Sequence, residues 1–191
     1  MKTLFNTDEL LNEFDMTLIG IDEAGRGALA GPMTMAACKL HKRLNKLCDS
    51  KKLNEKKREE LYELILKNST YLILAFSSEQ IDKLGLSACL KTGLILIKKH
   101  FQKENNFLYD GNTNFSISTI KTQIKADANI MQVSAASILA KVSKDRIMNF
   151  LATDFPDYEF EKNKGYGTKT HKELIKKLGS CKLHRKSFKL L

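Results

Sequence analysis

The chain has 191 residues, 42% of them hydrophobic, enough for one well-buried core and too few to favour two full domains. Its 32 Lys+Arg against 22 Asp+Glu give a formal charge of +10 and a pI near 9.4, which favours an anionic polymer, nucleic acid first, over a neutral small molecule. No window reaches the ~18 apolar residues of a membrane span, no apolar leader follows Met1-Lys2, and the four cysteines and four histidines lack zinc-like spacing, so a soluble, cytoplasmic protein without a Cys/His metal site is expected.

Thr7 to Phe14 reads as a short capped helix. Met16 to Asp22 reads as a strand whose end carries two acids, Asp22 and Glu23, followed by the turn Gly25-Arg26-Gly27. After Gly31-Pro32, Met33 to Leu40 is a second strand, and so short a connection favours antiparallel pairing with the first. Asn54 caps a helix running to Lys67 with Leu61, Leu64 and Ile65 on one face, and Tyr71 to Phe76 is a short strand. Leu86 to Phe101 carries Leu90, Leu94, Ile97 and Phe101 at helical spacing. Phe107 to Asp110 is a strand that ends in an acid, Ile117 to Ala126 an edge strand, and Ile130 to Leu151 a long helix whose Ala135, Ala136, Ser137 and Ala140 allow close approach to a sheet. A last helix lies around His171 to Leu178, in a basic C-terminal part spanning 162–191. The alternation predicts an α/β fold, a mixed central sheet flanked by helices, as one domain over 1–191 with a small helical C-terminal extension.

Acids stand beside strand ends or turns at three separate places: Asp22-Glu23, Asp110 and Asp127. Taken alone, Asp22-Glu23 also reads as an ordinary acidic strand end, Asp110 as a turn former before Gly111, and Asp127 as a helix cap before Ala128. Asp22 and Glu23 can share a site only if the chain leaves strand geometry at once, since neighbouring side chains on a strand point to opposite faces. Carboxylates crowded together repel unless a cation intervenes, and their hard oxygens suit Mg²⁺ or Mn²⁺. Two such ions about 3.5–4 Å apart hydrolyse a phosphodiester without a side-chain nucleophile.

The runs Ile21-Asp22-Glu23-Ala24-Gly25-Arg26-Gly27, Asp49-Ser50-Lys51-Lys52-Leu53, Tyr109-Asp110-Gly111, Lys125-Ala126-Asp127, Ala135 to Val142, Gly165-Tyr166-Gly167-Thr168 and His184 to Phe188 resemble, in this order, those of bacterial ribonuclease HII. The resemblance covers about residue 16 to the end and implies a ribonuclease H-like fold. It further implies a metal-dependent endonuclease, using Mn²⁺ or Mg²⁺, that cuts the RNA strand of RNA–DNA hybrids and incises at single ribonucleotides in duplex DNA, leaving 5′-phosphate and 3′-hydroxyl ends. Asp22, Glu23, Asp110 and Asp127 fall on the family's four active-site acids. Asp22 is then the acid expected to bridge two ions, with Asp127 the fourth, held through water or engaged only with substrate. The same resemblance makes the Gly25-Arg26-Gly27 backbone a ribonucleotide contact and Tyr166 the ring that packs on the sugar at an RNA-to-DNA junction; alone, Tyr166 reads as a half-buried aromatic.

Phosphate contacts are expected from two basic clusters. Residues 39–58 carry nine Lys+Arg against two acids, with Ser50 and Lys51 the favoured contacts, and residues 141–191 carry thirteen against six. Asp145 is expected to form a helix-surface ion pair with Lys141. The chain ends soon after Phe188, so clamp binding is not expected, and a monomer is the default. A non-catalytic basic nucleic-acid-binding module, or another two-metal nuclease on the same fold, remain the alternatives.

Overall fold

The computed structural model describes residues 14–47 and 54–191. The helix expected from Thr7, and the motif residues Ser50 and Lys51, lie outside them. Five strands are present among the described residues: β1 (Ile19–Ala24), β2 (Met33–Leu40), β3 (Ser69–Phe76), β4 (Phe107–Asp110) and β5 (Ile120–Gln123). Their order is β3-β2-β1-β4-β5, with β1 antiparallel to β2, β2 antiparallel to β3, and β1, β4 and β5 mutually parallel. The helices are α1 (Glu55–Lys67), α2 (Ser78–Leu84), α3 (Leu86–His100), α4 (Met131–Ala152), the single turn α5 (Phe160–Asn163) and α6 (Lys169–Leu178).

Local chemistry accounts for several boundaries. Asn54 caps α1 by accepting from the Lys57 amide at 2.9 Å, and Ser77 with Gln80 forms a reciprocal capping box on α2. Gly85, at φ 82°, ends α2 and starts α3, a backbone state that other residues adopt only with strain. At seven residues α2 is too short to show a hydrophobic period, and it escaped the sequence reading for that reason.

The pleat of β1 sorts the core into two layers. Ile19 and Ile21 join Met33, Met35, Phe107 and Tyr109 under α3, whose Leu90, Leu94 and Ile97 are all buried. Ala36, Cys38 and Leu40 face the other way, against α1 and the Ala135, Ala136 and Ala140 side of α4. Each large aliphatic or aromatic side chain so buried contributes about 1.5–3 kcal/mol. At Gly20 a side-chain carbon would collide with the backbone of Gln132 and Val133. β1 thus lies almost backbone to backbone on the start of α4, and α4 in turn sets the depth of everything attached to β1.

A third cluster, Ala30, Met148, Ala152, Tyr158 and Phe160, joins the C-terminal part to the end of α4. Two isolated bridges, Ala28 with Tyr166 and Ala30 with His184, fasten the turn after β1 between the two halves of that part. Asp82 of α2 accepts from the Lys186 and Ser187 amides, both at 2.9 Å, and anchors the final segment. Among the described residues no helix is long and apolar enough to cross a membrane.

Candidate active site

β1 does not stop at Asp22. It continues through Glu23 to Ala24, because β2 keeps pairing with it as far as Thr34 opposite Ala24. The chain keeps strand geometry here, so Asp22 and Glu23 leave the sheet on opposite faces. Asp22 turns toward α4, where Ser137 hydrogen-bonds its carboxylate. Glu23 turns toward β4, where the Tyr109 hydroxyl donates to its Oε2 at 2.7 Å, while the half-exposed Arg26 guanidinium lies 3.3 Å from its Oε1.

Asp110 ends β4 on the same face as Asp22. Its Oδ1 accepts from the Lys125 amide at 2.9 Å and its Oδ2 from the Asp127 amide at 3.1 Å. Lys125 has φ 60°, and this left-handed residue turns the chain after β5 so that amides two apart both face Asp110. The same turn delivers the Asp127 side chain: Asp22, Asp110 and Asp127 each place a carboxylate oxygen within 4.8 Å of the others. Asp127 lies inside a short 3₁₀ turn, Ala126–Ala128, rather than capping a helix. Glu23 stands beside this trio rather than within it.

Burial pushes the Asp22 carboxyl up to about 8, with Glu23 and Asp110 adding to the rise and the Ser137 hydrogen bond opposing it. Burial also raises Glu23, against the Tyr109 and Arg26 contacts that favour its charge. A set of all-oxygen ligands held this close and this dry is short of positive charge, and it suits a hard divalent cation such as Mg²⁺ or Mn²⁺.

The wall above the acids is the turn Gly25 to Gly31. Gly25 has φ 87°, and a side chain there would strike the Lys144 methylenes. Tyr166 lies beside it: its hydroxyl hydrogen-bonds the Gly25 backbone, and the Lys144 Nζ sits 4.4 Å from its ring centroid. Lys144 is fully buried, donates to the Lys164 carbonyl, and is lowered to about 7 by that burial. Arg185 is likewise fully buried. These two cations cannot belong to a phosphate-tracking surface, which corrects the reading of all thirteen basic residues of 141–191 as one. The expected Lys141–Asp145 pair forms at 2.8 Å, with Lys141 at the surface and Asp145 buried beneath it.

Behind Tyr166 lies a histidine relay that sequence spacing gave no sign of. The Cys181 amide donates to His184 Nδ1 at 2.9 Å, His184 Nε2 is 3.1 Å from His171 Nε2, and His171 Nδ1 is 2.9 Å from the Tyr166 carbonyl. The carbonyl must accept and the amide must donate, so the proton sits on Nε2 of His184 and on Nδ1 of His171, and both rings are neutral. Burial lowers His171, and burial with the neighbouring His171 lowers His184 to about 4. These two rings therefore bind fewer protons in the folded state than in the unfolded chain between pH 6.5 and 4, and their own contribution to stability, present above pH 6.5, is lost as pH falls through that window, by about 2–3 kcal/mol. Ring-proton NMR is expected to show His184 uncharged until pH approaches 4; a His184 that titrates near 6.5 in the folded protein would contradict the relay.

Comparison with known proteins agrees with this geometry. The family model described as ribonuclease HII matches residues 19–191. A curated ribonuclease HII of Campylobacter jejuni subsp. jejuni (strain 81116) is 83% identical over 191 residues, all of both chains, and that of Campylobacter concisus is 54% identical over 171 residues, 90% of this chain and 92% of the relative. The ribonuclease HII of Archaeoglobus fulgidus, solved in complex with PCNA, superposes with a TM-score of 0.80 at 27% identity, covering 92% of this chain and 96% of that one. The superposition carries the ribonuclease H-like fold, and the chain belongs to the ribonuclease HII family.

Proposed function

We propose that this chain is a metal-dependent endonuclease that hydrolyses the RNA strand of RNA–DNA hybrids and incises at single ribonucleotides embedded in duplex DNA, with Asp22, Glu23, Asp110 and Asp127 as its active-site acids. The observation that carries the reading is the meeting of Asp22, Asp110 and Asp127, from three distant parts of the chain, at the foot of a glycine turn. Asp22, Asp110 and Asp127 would hold the ions, with Asp22, the most buried of the three, the acid that the family resemblance would have shared between them. Asp110 is fixed beside Asp22 by two backbone amides, and Glu23 is fixed next to the trio by Tyr109, where its charge adds to the negative field at Asp22. Mn²⁺ or Mg²⁺ bound there would activate water and stabilise the leaving 3′ oxygen of an in-line displacement, giving 5′-phosphate and 3′-hydroxyl ends.

Selection of RNA over DNA falls to the 2′-hydroxyl. The Gly25-Arg26-Gly27 backbone is the reader in this proposal, Tyr166 the ring under the sugar at the RNA-to-DNA junction, and Ser50 and Lys51 the phosphate contacts. A duplex with one ribonucleotide is expected to be cut, an all-DNA duplex left intact, and EDTA to stop the reaction; binding without metal-dependent cleavage would leave only a basic nucleic-acid-binding module. Tyr166→Ala is expected to lower the preference for a junction over a continuous hybrid by about tenfold, or ~1.4 kcal/mol. A variant that keeps the full preference, measured as a ratio of kcat/KM values, removes this role for the ring.

A further inference from the structure

Arg185 is fully buried, and its hydrogen bonds go to backbone carbonyls rather than to a carboxylate: Nε to Gly31 O and Nη1 to Arg26 O, both at 3.1 Å. Its Nη2 is buried and has no partner. Placing a guanidinium in such surroundings is unfavourable, and an apolar side chain would fill the volume without that penalty, so packing alone does not account for an arginine here. The guanidinium instead spans the two ends of one turn, residues 26 and 31, while the Arg185 amide donates to Leu29 O at 2.8 Å.

The amides from Ala28 to Gly31 are engaged, that of Gly31 with Leu183 O at 2.8 Å. Ala28 donates to Gly25 O at 3.2 Å, and Leu29 and Ala30 donate to Gly165 O at 2.8 and 3.1 Å. Gly27 is at the open side, where an added side-chain carbon would meet no atom within 4 Å. The Arg26 carbonyl and the Gly27 amide belong to a single peptide group. A charged donor on its oxygen draws electron density through the C–N bond and makes its N–H a stronger donor.

We propose that Arg185 is a positioning residue that fixes and polarises the Arg26–Gly27 peptide so that the Gly27 amide donates to the ribose 2′-hydroxyl oxygen. The inference rests on the reading of Gly25-Arg26-Gly27 as the ribonucleotide reader and names what sets that reader. Lysine at 185 offers one ammonium, which reaches one carbonyl and not both, and glutamine keeps a donor without the charge.

The test measures binding in an Asp22→Asn background, comparing a duplex that contains one ribonucleotide with its all-DNA counterpart. The parent is expected to favour the ribonucleotide duplex by about tenfold or more, and Arg185→Lys and Arg185→Gln to reduce that ratio to below about threefold, with all-DNA binding unchanged. A folded variant of either kind that keeps the parental ratio overturns the role of Arg185 alone; a parent without any preference overturns the reading of the turn and the inference with it. A second measurement needs no substitution at 185. Arg26-Gly27 is the only Arg–Gly pair in the sequence, so labelling arginine carbonyls with ¹³C and glycine amides with ¹⁵N leaves one peptide cross-peak. The ribonucleotide duplex is expected to move its amide proton downfield and the all-DNA duplex to leave it in place; an equal response to both overturns the proposal even where neither variant folds.

Discussion

Asp22→Asn is expected to abolish cleavage and, in the same molecule without metal, to raise the melting temperature. The two effects share one cause. Asp22 is buried among Glu23 and Asp110, and its carboxyl is raised to about 8, so near neutral pH its charged form is held against the local preference. A carboxyl whose folded value lies above its unfolded one favours folding while protonated; that stability is present at low pH and is lost as pH rises from about 4 to about 8. Asparagine occupies the same space without the charge. In EDTA at pH 8 the variant should therefore gain about 2–4 kcal/mol, or roughly 5–10 °C for a chain of this size, and near pH 4 the gain should vanish. Saturating Mg²⁺ or Mn²⁺ should narrow the difference, because the ion stabilises the parent by binding its charged site. Cleavage of a ribonucleotide-containing duplex should fall by a factor on the order of 10³ or more, since a neutral amide replaces the carboxylate that would hold the ions. Calorimetry at the two pH values and a gel assay check both halves. A parental rate at saturating metal would remove Asp22 from the chemistry, and an unchanged melting temperature at pH 8 would remove the electrostatic account of it.

The parts of this site that lay in short runs were legible before folding, and the parts that depend on partners far along the chain were not. Phe107–Asp110 and Met33–Leu40 form the strands their apolar pattern predicts, and the small residues of α4 do face the sheet. The end of β1 was misjudged because glycines after an acid pair read as an immediate turn, whereas pairing with β2, invisible locally, carries the strand two residues further. Edge strand β5 is four residues rather than ten for a related reason: only β4 pairs with it, and β4 itself is short. Tyr109, Ser137 and Arg185 stand in the motif runs, but nothing in those runs says that they hold Glu23, Asp22 and the Gly25–Gly31 turn. Those contacts join residues 86, 115 and 159 positions apart in the chain, the last from Arg185 to Arg26, and only the completed fold makes them. Charge was the most misleading signal at the C-terminal end. Counting Lys144 and Arg185 as surface overlooked that a lysine stem can pack beneath a glycine and that backbone carbonyls alone can hold a guanidinium.

Two alanine substitutions at glycines should separate the frame from the reader. Gly20 faces the backbone of Gln132 and Val133, which belongs to the first turn of α4 and cannot yield as a flexible side chain would. Gly20→Ala must therefore lift α4 from β1, opening the seam between them and withdrawing Ser137 from Asp22 along with it. The expected loss is about 4 kcal/mol or more, enough to leave much of the protein unfolded, and activity should fall in proportion to the folded fraction. Gly27 is the opposite case, with its φ outside the left-handed region and empty space where the methyl would go. Gly27→Ala should melt within roughly 0.5 kcal/mol of the parent. If the Arg26–Gly27 peptide must come against the sugar, the methyl will hold the ribonucleotide away, and a displacement on the order of 1 Å at a reacting site lowers turnover by about 10²-fold. Urea denaturation of both variants, with kcat/KM on a single-ribonucleotide duplex, gives the comparison. A stable Gly20→Ala protein would show that the seam is looser than its geometry, and a fully active Gly27→Ala enzyme would show that the turn does not touch the substrate.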